Sequence, residues 1–172
     1  MRAPTVVLGG TLLLAACGGH RAVEIDPHQQ AAGARWNATL ATPAQLAGAM
    51  NLQGRGFWGS EEGNPSRSRA QVDIANAVPG GNHPWHVHVG QCGSNGPIVG
   101  PETSYRSLEV GGDGKATATA DLPVAMPTSG QYYINVHASA NNLGTIIACG
   151  NLAPPLPRLT SRRGASDRRP GG

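Results

Sequence analysis

Three histidines of the chain have the residue type and the spacing of metal ligands. His86 and His88 are separated by one residue, and His137 follows much later in the chain. Neutral imidazole is a common ligand of first-row metals, and the affinity of nitrogen-donor sites for divalent ions peaks at copper. The pattern therefore predicts one metal site made of three imidazoles, provided that the backbone brings them together.

Strand geometry decides which of these side chains can share a site, because successive side chains of a β-strand point to opposite faces. On a strand over residues 85–89, His86 and His88 share one face and the apolar residues share the other. The same alternation places His137 on the opposite face of its strand from its apolar neighbours. Each strand would then present histidine on one face and apolar side chains to the core on the other.

The remaining three histidines are interpreted as structural or solvated residues rather than metal ligands. His83 has the opposite parity to His86, although Pro84 weakens this argument because a proline at the start of a strand often follows a turn. We interpret His83 as a structural histidine that donates a hydrogen bond to a neighbouring strand or loop. His20 and His28 lie among few large apolar residues and are expected to be solvated.

The elements that must position these histidines are short runs with β propensity, separated by Gly, Pro and Asn. No stretch of helical period and adequate length lies between them, and the Asp113-Gly114 pair is typical of a tight hairpin turn. The predicted strands are residues 36–42, 48–58, 68–77, 85–89, 116–122, 131–137 and 145–152. They predict an all-β antiparallel sandwich or flattened barrel, with Trp36, Phe57 and Trp58 in its core.

The start of the chain resembles a bacterial lipoprotein signal. Arg2 precedes an apolar run from Val6 to Leu14, and small residues then lead directly to Cys17. The run is too short to span a bilayer as a helix. The resemblance implies cleavage before Cys17, acylation of that cysteine, and an exported protein that its lipid anchors to the membrane of the bacterial cell envelope. An ordinary secretion signal with an incidental cysteine is the alternative.

Export would allow the other two cysteines to form a disulfide, because disulfides persist outside the reducing cytosol. Once Cys17 is acylated, Cys92 and Cys149 are the one pair that can still be joined. The predicted parts of the chain are a signal peptide (1–16), a flexible tether (17–35), a metal-binding domain (36–152) and a basic tail (153–172).

The formal net charge of +3 is concentrated at the two ends of the chain. Five of the thirteen basic residues lie in the last fifteen positions and Arg2 lies in the signal, whereas residues 18–156 hold seven basic and nine acidic side chains. Nucleic-acid binding therefore has little support. The Pro, Gly, Ser and Arg of the tail predict a disordered, solvated end, and contact with anionic lipid or cell-wall polymer is the alternative.

The histidines and cysteines follow one another in an order that resembles the copper-zinc superoxide dismutase family. The matching residues, in chain order, are His83, His86, His88, Cys92, His137 and Cys149. The resemblance covers about residues 36–152 and implies a Greek-key antiparallel β-barrel or sandwich. It also implies that the two close histidines and the late one bind copper and carry catalysis through it, that His83 is structural, and that the two cysteines form a disulfide.

The chain also departs from the family in two ways. Between the second copper histidine and His137 there is no histidine, so the imidazolate that bridges copper to zinc is missing and no zinc is expected. Glu102, Glu109 and Asp113 are poor replacements, because the turn uses Asp113 and the glutamates lack a soft partner nearby. Ile146 stands where the family has an arginine that attracts superoxide, and its absence weakens electrostatic steering.

Three functional hypotheses follow. The first, which we favour, is a copper-only superoxide dismutase that converts superoxide to dioxygen and hydrogen peroxide. The second is a non-catalytic envelope protein that binds copper ions and sequesters them or passes them on. The third is a metal-free β-sandwich in which the histidines satisfy the sheet or face a partner.

Overall fold

The computed structural model describes residues 35–155 and confirms the predicted all-β class. Every strand pair in this range is antiparallel, and the helical elements within it are single 3₁₀ turns. None of the helices in these residues is long and apolar enough to cross a membrane. The predicted signal peptide, Cys17 with nearly all of the tether, and most of the basic tail lie outside the described residues.

The described part of the chain has nine strands, two short ones more than the seven predicted, and the bounds of the predicted strands differ most near the start of the domain. In chain order they are β1 (Arg35–Ala41), β2 (Gln53–Glu61), β3 (Asn64–Ala75), β4 (Asn82–His83), β5 (Trp85–Val89), β6 (Leu108–Glu109), β7 (Ala116–Leu122), β8 (Tyr132–Ser139) and β9 (Asn142–Leu152). β5 and β7 have the predicted bounds. β2 begins five residues later than predicted, because a 3₁₀ turn at Ala44–Leu46 and the backbone bond from Met50 to Leu46 occupy the preceding residues.

Seven strands form one sheet in the order β5-β8-β9-β1-β2-β3-β7, which curls into a half-barrel, while β4 and β6 pair separately. The curl brings β2 against β8, three strands away in the sheet. A Cβ atom on Gly56 would overlap the side chain of Ile134, so the absence of a side chain at position 56 permits this close approach. The interior of the curl is the hydrophobic core.

The tryptophans show how alternation selects the core residues. Trp36 and Trp58 are buried as predicted, and the indole nitrogen of Trp58 donates a 2.9 Å hydrogen bond to Ser68 Oγ. The prediction for Phe57 was wrong: it is only partly buried, and the Arg35 guanidinium lies 4.8 Å from its ring centroid. Adjacent residues of a strand face opposite sides, so Phe57 and Trp58 cannot both point inward.

The segment between β5 and β6 runs along both edges of the seven-stranded sheet. Ile98 pairs with His88 on β5, and Tyr105 pairs with Ala120 on β7. The backbone nitrogen of Val99 also donates to the carbonyl of Val87, at 2.8 Å. This segment, residues 90–107, is called the edge loop below, and it lies beside the face that carries the predicted ligands.

Candidate metal centre

The pairing of β5 with β8 brings the two halves of the predicted site together. His86 lies opposite Asn135, and His88 lies opposite Tyr133. The pairing of β8 with β9 shifts in register at His137, which then pairs with Ile146. Bulges re-aim side chains, and here the ring of His137 lies 5.1 Å from that of His86, centroid to centroid.

The three predicted ligands form one buried cluster. One ring nitrogen from each of His86, His88 and His137 lies within 4.8 Å of the other two. His86 Nδ1 and His137 Nε2 are 3.1 Å apart. Metal–nitrogen bonds of about 2.0–2.1 Å at tetrahedral angles place ligand nitrogens roughly 3.3 Å apart. A small closure of the rings would therefore bring the cluster to coordination distance.

Backbone carbonyls fix the tautomers of two ligands. His88 Nδ1 lies 2.8 Å from the Gly96 carbonyl oxygen, and His137 Nδ1 lies 2.6 Å from that of Leu143. A carbonyl can only accept, so both Nδ1 atoms carry the proton and donate it. Their Nε2 atoms then keep a lone pair for a metal, which is the usual way in which outer hydrogen bonds orient histidine ligands. His86 presents Nδ1 instead.

The surroundings of the cluster keep its imidazoles neutral. Burial, followed by the charges of His137 and His88, lowers the pKa of His86 to about 4. Burial also lowers the pKa of His88 and of His137, although the carbonyl that each contacts opposes the shift. Neutral imidazole is the form that binds metals, so near neutral pH all three are ready to bind one.

A metal ion fits these residues. His88 Nε2 is buried and has no hydrogen-bond partner in the described part of the chain, and an unpaired buried nitrogen of this kind costs free energy unless something binds it. Three imidazoles suit copper, zinc, iron and nickel. The arrangement is thus able to hold one metal ion and does not by itself choose the metal.

Aromatic rings and the edge loop form the walls of the centre. Tyr133 stacks on His88 with 5.1 Å between centroids, and its hydroxyl accepts a hydrogen bond from the Gly96 nitrogen. A Cβ atom on Gly96 would overlap the carbonyl of Val89, so only glycine brings its backbone so close to β5. This role of Gly96 could not be predicted from the sequence, because it depends on the path of the edge loop.

Glu102 has a position that the sequence analysis missed. Its carboxylate lies 3.9 Å from His86 Nε2, on the far side of that ring from the cluster, although the glutamates had been expected to lack such a partner. The distance exceeds that of a direct hydrogen bond. The contact places a negative charge near the His86 ring. In the metal-free protein His86 Nδ1 donates to His137 Nε2, because His137 Nδ1 already donates to Leu143, so binding of a metal at His86 Nδ1 requires that its proton move to Nε2.

The other predicted site residues lie around the cluster. His83 Nδ1 donates a 2.9 Å hydrogen bond to the Ala138 carbonyl on β8, and His83 is not part of the cluster. Cys92 in the edge loop and Cys149 on β9 form a disulfide with Cα atoms 6.0 Å apart. Asp113 accepts a bond from the Lys115 nitrogen within a turn. The turn does not close a hairpin as predicted, because β6 and β7 on its two sides lie in different sheets.

Comparison of the sequence with models of known protein families gives no match. Comparison with curated proteins gives none either. The geometry of the histidine cluster and the residues around it are therefore the features that point to a function.

Proposed function

We propose that this domain binds one copper ion through His86, His88 and His137 and uses it to dismutate superoxide, as a copper-only member of the copper-zinc superoxide dismutase family with its Greek-key barrel. The observation that carries the proposal is the convergence of three neutral ring nitrogens, two of them oriented by backbone carbonyls. Copper is preferred over other divalent metals at nitrogen-donor sites.

A bound copper ion would supply one-electron chemistry: one superoxide gives up an electron and becomes dioxygen, and a second takes that electron with two protons and becomes hydrogen peroxide. The protein residues hold and shield this site. Burial keeps the three imidazole rings in the neutral form. The ring of Tyr105, 5.1 Å from that of His86, limits the access of water on one side. In the absence of a bridging imidazole, solvent supplies the protons.

A second candidate function is copper binding without catalysis, in storage or transfer. The charge near the centre favours it: Glu102 places a carboxylate beside His86, and the apolar Ile146 pairs with His137. A negative charge repels superoxide and attracts cations. The alternatives thus share a metal site and differ in whether an anion reaches it at a useful rate.

Copper binding is tested first, by equilibrium dialysis against copper and against zinc. We expect one copper per chain, bound more tightly than zinc, and loss of the copper when all three ligands are replaced by alanine. His83→Ala is the matched control, because it removes a neighbouring histidine that lies outside the cluster. Full copper stoichiometry in the triple variant would refute the site.

Dismutation is tested on copper-loaded protein after removal of free copper. We expect superoxide decay faster than its spontaneous rate, and loss of the acceleration in the triple alanine variant. Decay at the spontaneous rate, with copper still bound, would replace the first candidate by the second. Falling activity with rising salt would indicate attraction of the anion, and rising activity would indicate repulsion.

We further propose that the protein is exported and anchored to the cell envelope by a lipid on Cys17. The disulfide supports export, because such bonds are rare in the cytosol. Mass spectrometry of the protein from its native membrane should find a chain that begins at an acylated Cys17. An unmodified cysteine at that position would contradict the anchor and leave the copper site unaffected.

A further inference from the structure

Two buried side-chain atoms in residues 35–155 have no hydrogen-bond partner: His88 Nε2 and Asn135 Oδ1. Both are lone-pair atoms. The amide oxygen of Asn135 can only accept, and His88 Nε2 is left without a proton because Nδ1 donates to Gly96. Since buried polar atoms are almost always paired, two such atoms in one place indicate an occupant from outside the chain.

Asn135 lies within the metal centre. It is directly opposite His86 on β5 and opposite Cys149 on β9. Along β8 it falls between Tyr133, which stacks on His88, and the ligand His137. These residues share one face of the sheet, and Asn135 is only 5% exposed. The register therefore places its amide on the face of the sheet that carries the ligands, largely out of contact with bulk water.

The chemistry of the two atoms differs. A metal ion satisfies the nitrogen of His88, which is a good ligand for copper. An amide oxygen is a hard donor that copper(I) does not favour, and its natural partner is an O–H or N–H group. Of the ring nitrogens that face the centre, His88 Nε2 and His137 Nε2 are acceptors, and His86 Nδ1 already donates to His137, so the neighbouring ligands offer Asn135 no free donor. A small molecule with an O–H group would supply one.

We propose that Asn135 is the fourth polar residue of the centre and binds the O–H group of a small oxygen species held beside the metal, either water or hydrogen peroxide. This inference rests on the proposed copper site. Because the amide oxygen is an acceptor, it favours protonated oxygen species and disfavours bare anions. Asn135 would thus hold water or the protonated product beside the metal, and a small anion without a proton, such as azide, would have to displace that hydrogen-bonded molecule.

The test compares Asn135→Leu, which keeps the shape and removes the acceptor, with Asn135→Asp, which keeps an acceptor. Azide is the probe, because it is a small anion without a proton that binds copper(II) and changes its visible spectrum. We expect azide to bind the leucine variant about tenfold more tightly than the wild type. In the wild type azide must displace a molecule that is hydrogen-bonded to Asn135, and the leucine variant lacks roughly this one hydrogen bond. The aspartate variant should show no such gain.

A second measurement, on the metal-free proteins, does not depend on copper. Replacing an unpaired buried amide by an apolar group should raise the urea midpoint. Ser68→Ala is the matched control, because Ser68 is equally buried but is paired with Trp58, and its loss should lower the midpoint. Should Asn135→Leu fail to fold, Asn135→Val replaces it in both measurements.

Equal azide affinity in the wild type and the leucine variant, or a lower midpoint in that variant, would overturn the assignment of Asn135. Failure of the copper site itself gives a different result, since the wild type would then take up no copper. The rise in the metal-free midpoint would still be expected in that case.

Discussion

The disulfide between Cys92 and Cys149 allows a quantitative prediction about stability. It joins residues 57 positions apart and ties the edge loop to β9. Replacing both cysteines by alanine leaves the native contacts of the loop in place: the Cys92 nitrogen bonds to Asn151 Oδ1 at 2.8 Å, and the Gly90 nitrogen bonds to the Gln131 carbonyl at 2.7 Å. The double variant should therefore fold. Its lower stability should come mainly from the greater conformational entropy of the unfolded chain without the cross-link.

The size of the loss follows from loop closure. A loop of this length restricts the unfolded chain by roughly 14 cal/mol/K, which is about 4 kcal/mol at 25 °C. A domain of this size has a urea dependence of about 1.5 kcal/mol per molar. The urea midpoint of the double variant should thus lie roughly 2–3 M below that of the oxidised wild type.

The assay is urea unfolding of the metal-free proteins, followed by tryptophan fluorescence. Wild type in reductant should match the Cys92→Ala, Cys149→Ala variant, and the variant itself should not respond to reductant. If the oxidised wild type and the variant unfolded at the same urea concentration, loop closure would not be a source of stability here. The reasoning from chain entropy would then be wrong for this protein.

Three further predictions concern the metal centre. The metal-free protein should lose stability as the pH falls from about 6.5 to 4, because burial lowers the His86 pKa to about 4 and the unfolded chain therefore binds more protons in that window; a urea midpoint that is flat over this range would contradict it. Gly96→Ala should weaken copper binding about tenfold or more, because the loop must move away from Val89 and take the acceptor of His88 with it; dialysis measures the loss, and Gly112→Ala, at a position with open space and without a positive φ, controls for the substitution of a loop glycine. Glu102→Gln should weaken copper binding less than tenfold, since its carboxylate is exposed and 3.9 Å from His86; an effect as large as that of losing a ligand would mean that the carboxylate itself binds the metal.

Much of the site followed from the sequence because strand alternation is a local rule. The residues between Trp85 and Val89 have the period of a strand and the expected bounds, so the common face of His86 and His88 could be predicted without knowing the fold. The same rule, applied consistently, would have excluded Phe57 from the core beside Trp58. Local periodicity thus predicts the face of a side chain but not its burial, because Val89 has the parity of the core residues Trp85 and Val87 and is nevertheless 43% exposed.

What the sequence could not supply depends on contacts between distant segments. Asn135 looks like any polar residue of a strand until the register of β8 places it opposite His86. Glu102 approaches His86 because of the course of the edge loop, which has no period to analyse. The 3₁₀ turn before β2 is stabilised by backbone bonds that its alanine-rich sequence does not reveal.

The edge loop also bears on solubility. A sheet that ends in two free edge strands presents unpaired backbone groups, and other chains can add to them and aggregate. Here one segment pairs with β5 through Ile98 and with β7 through Tyr105. Substitutions that loosen this segment would therefore open both edges at once, and self-association could precede any global unfolding. The edge loop, which orients His88, thus also protects the sheet from aggregation.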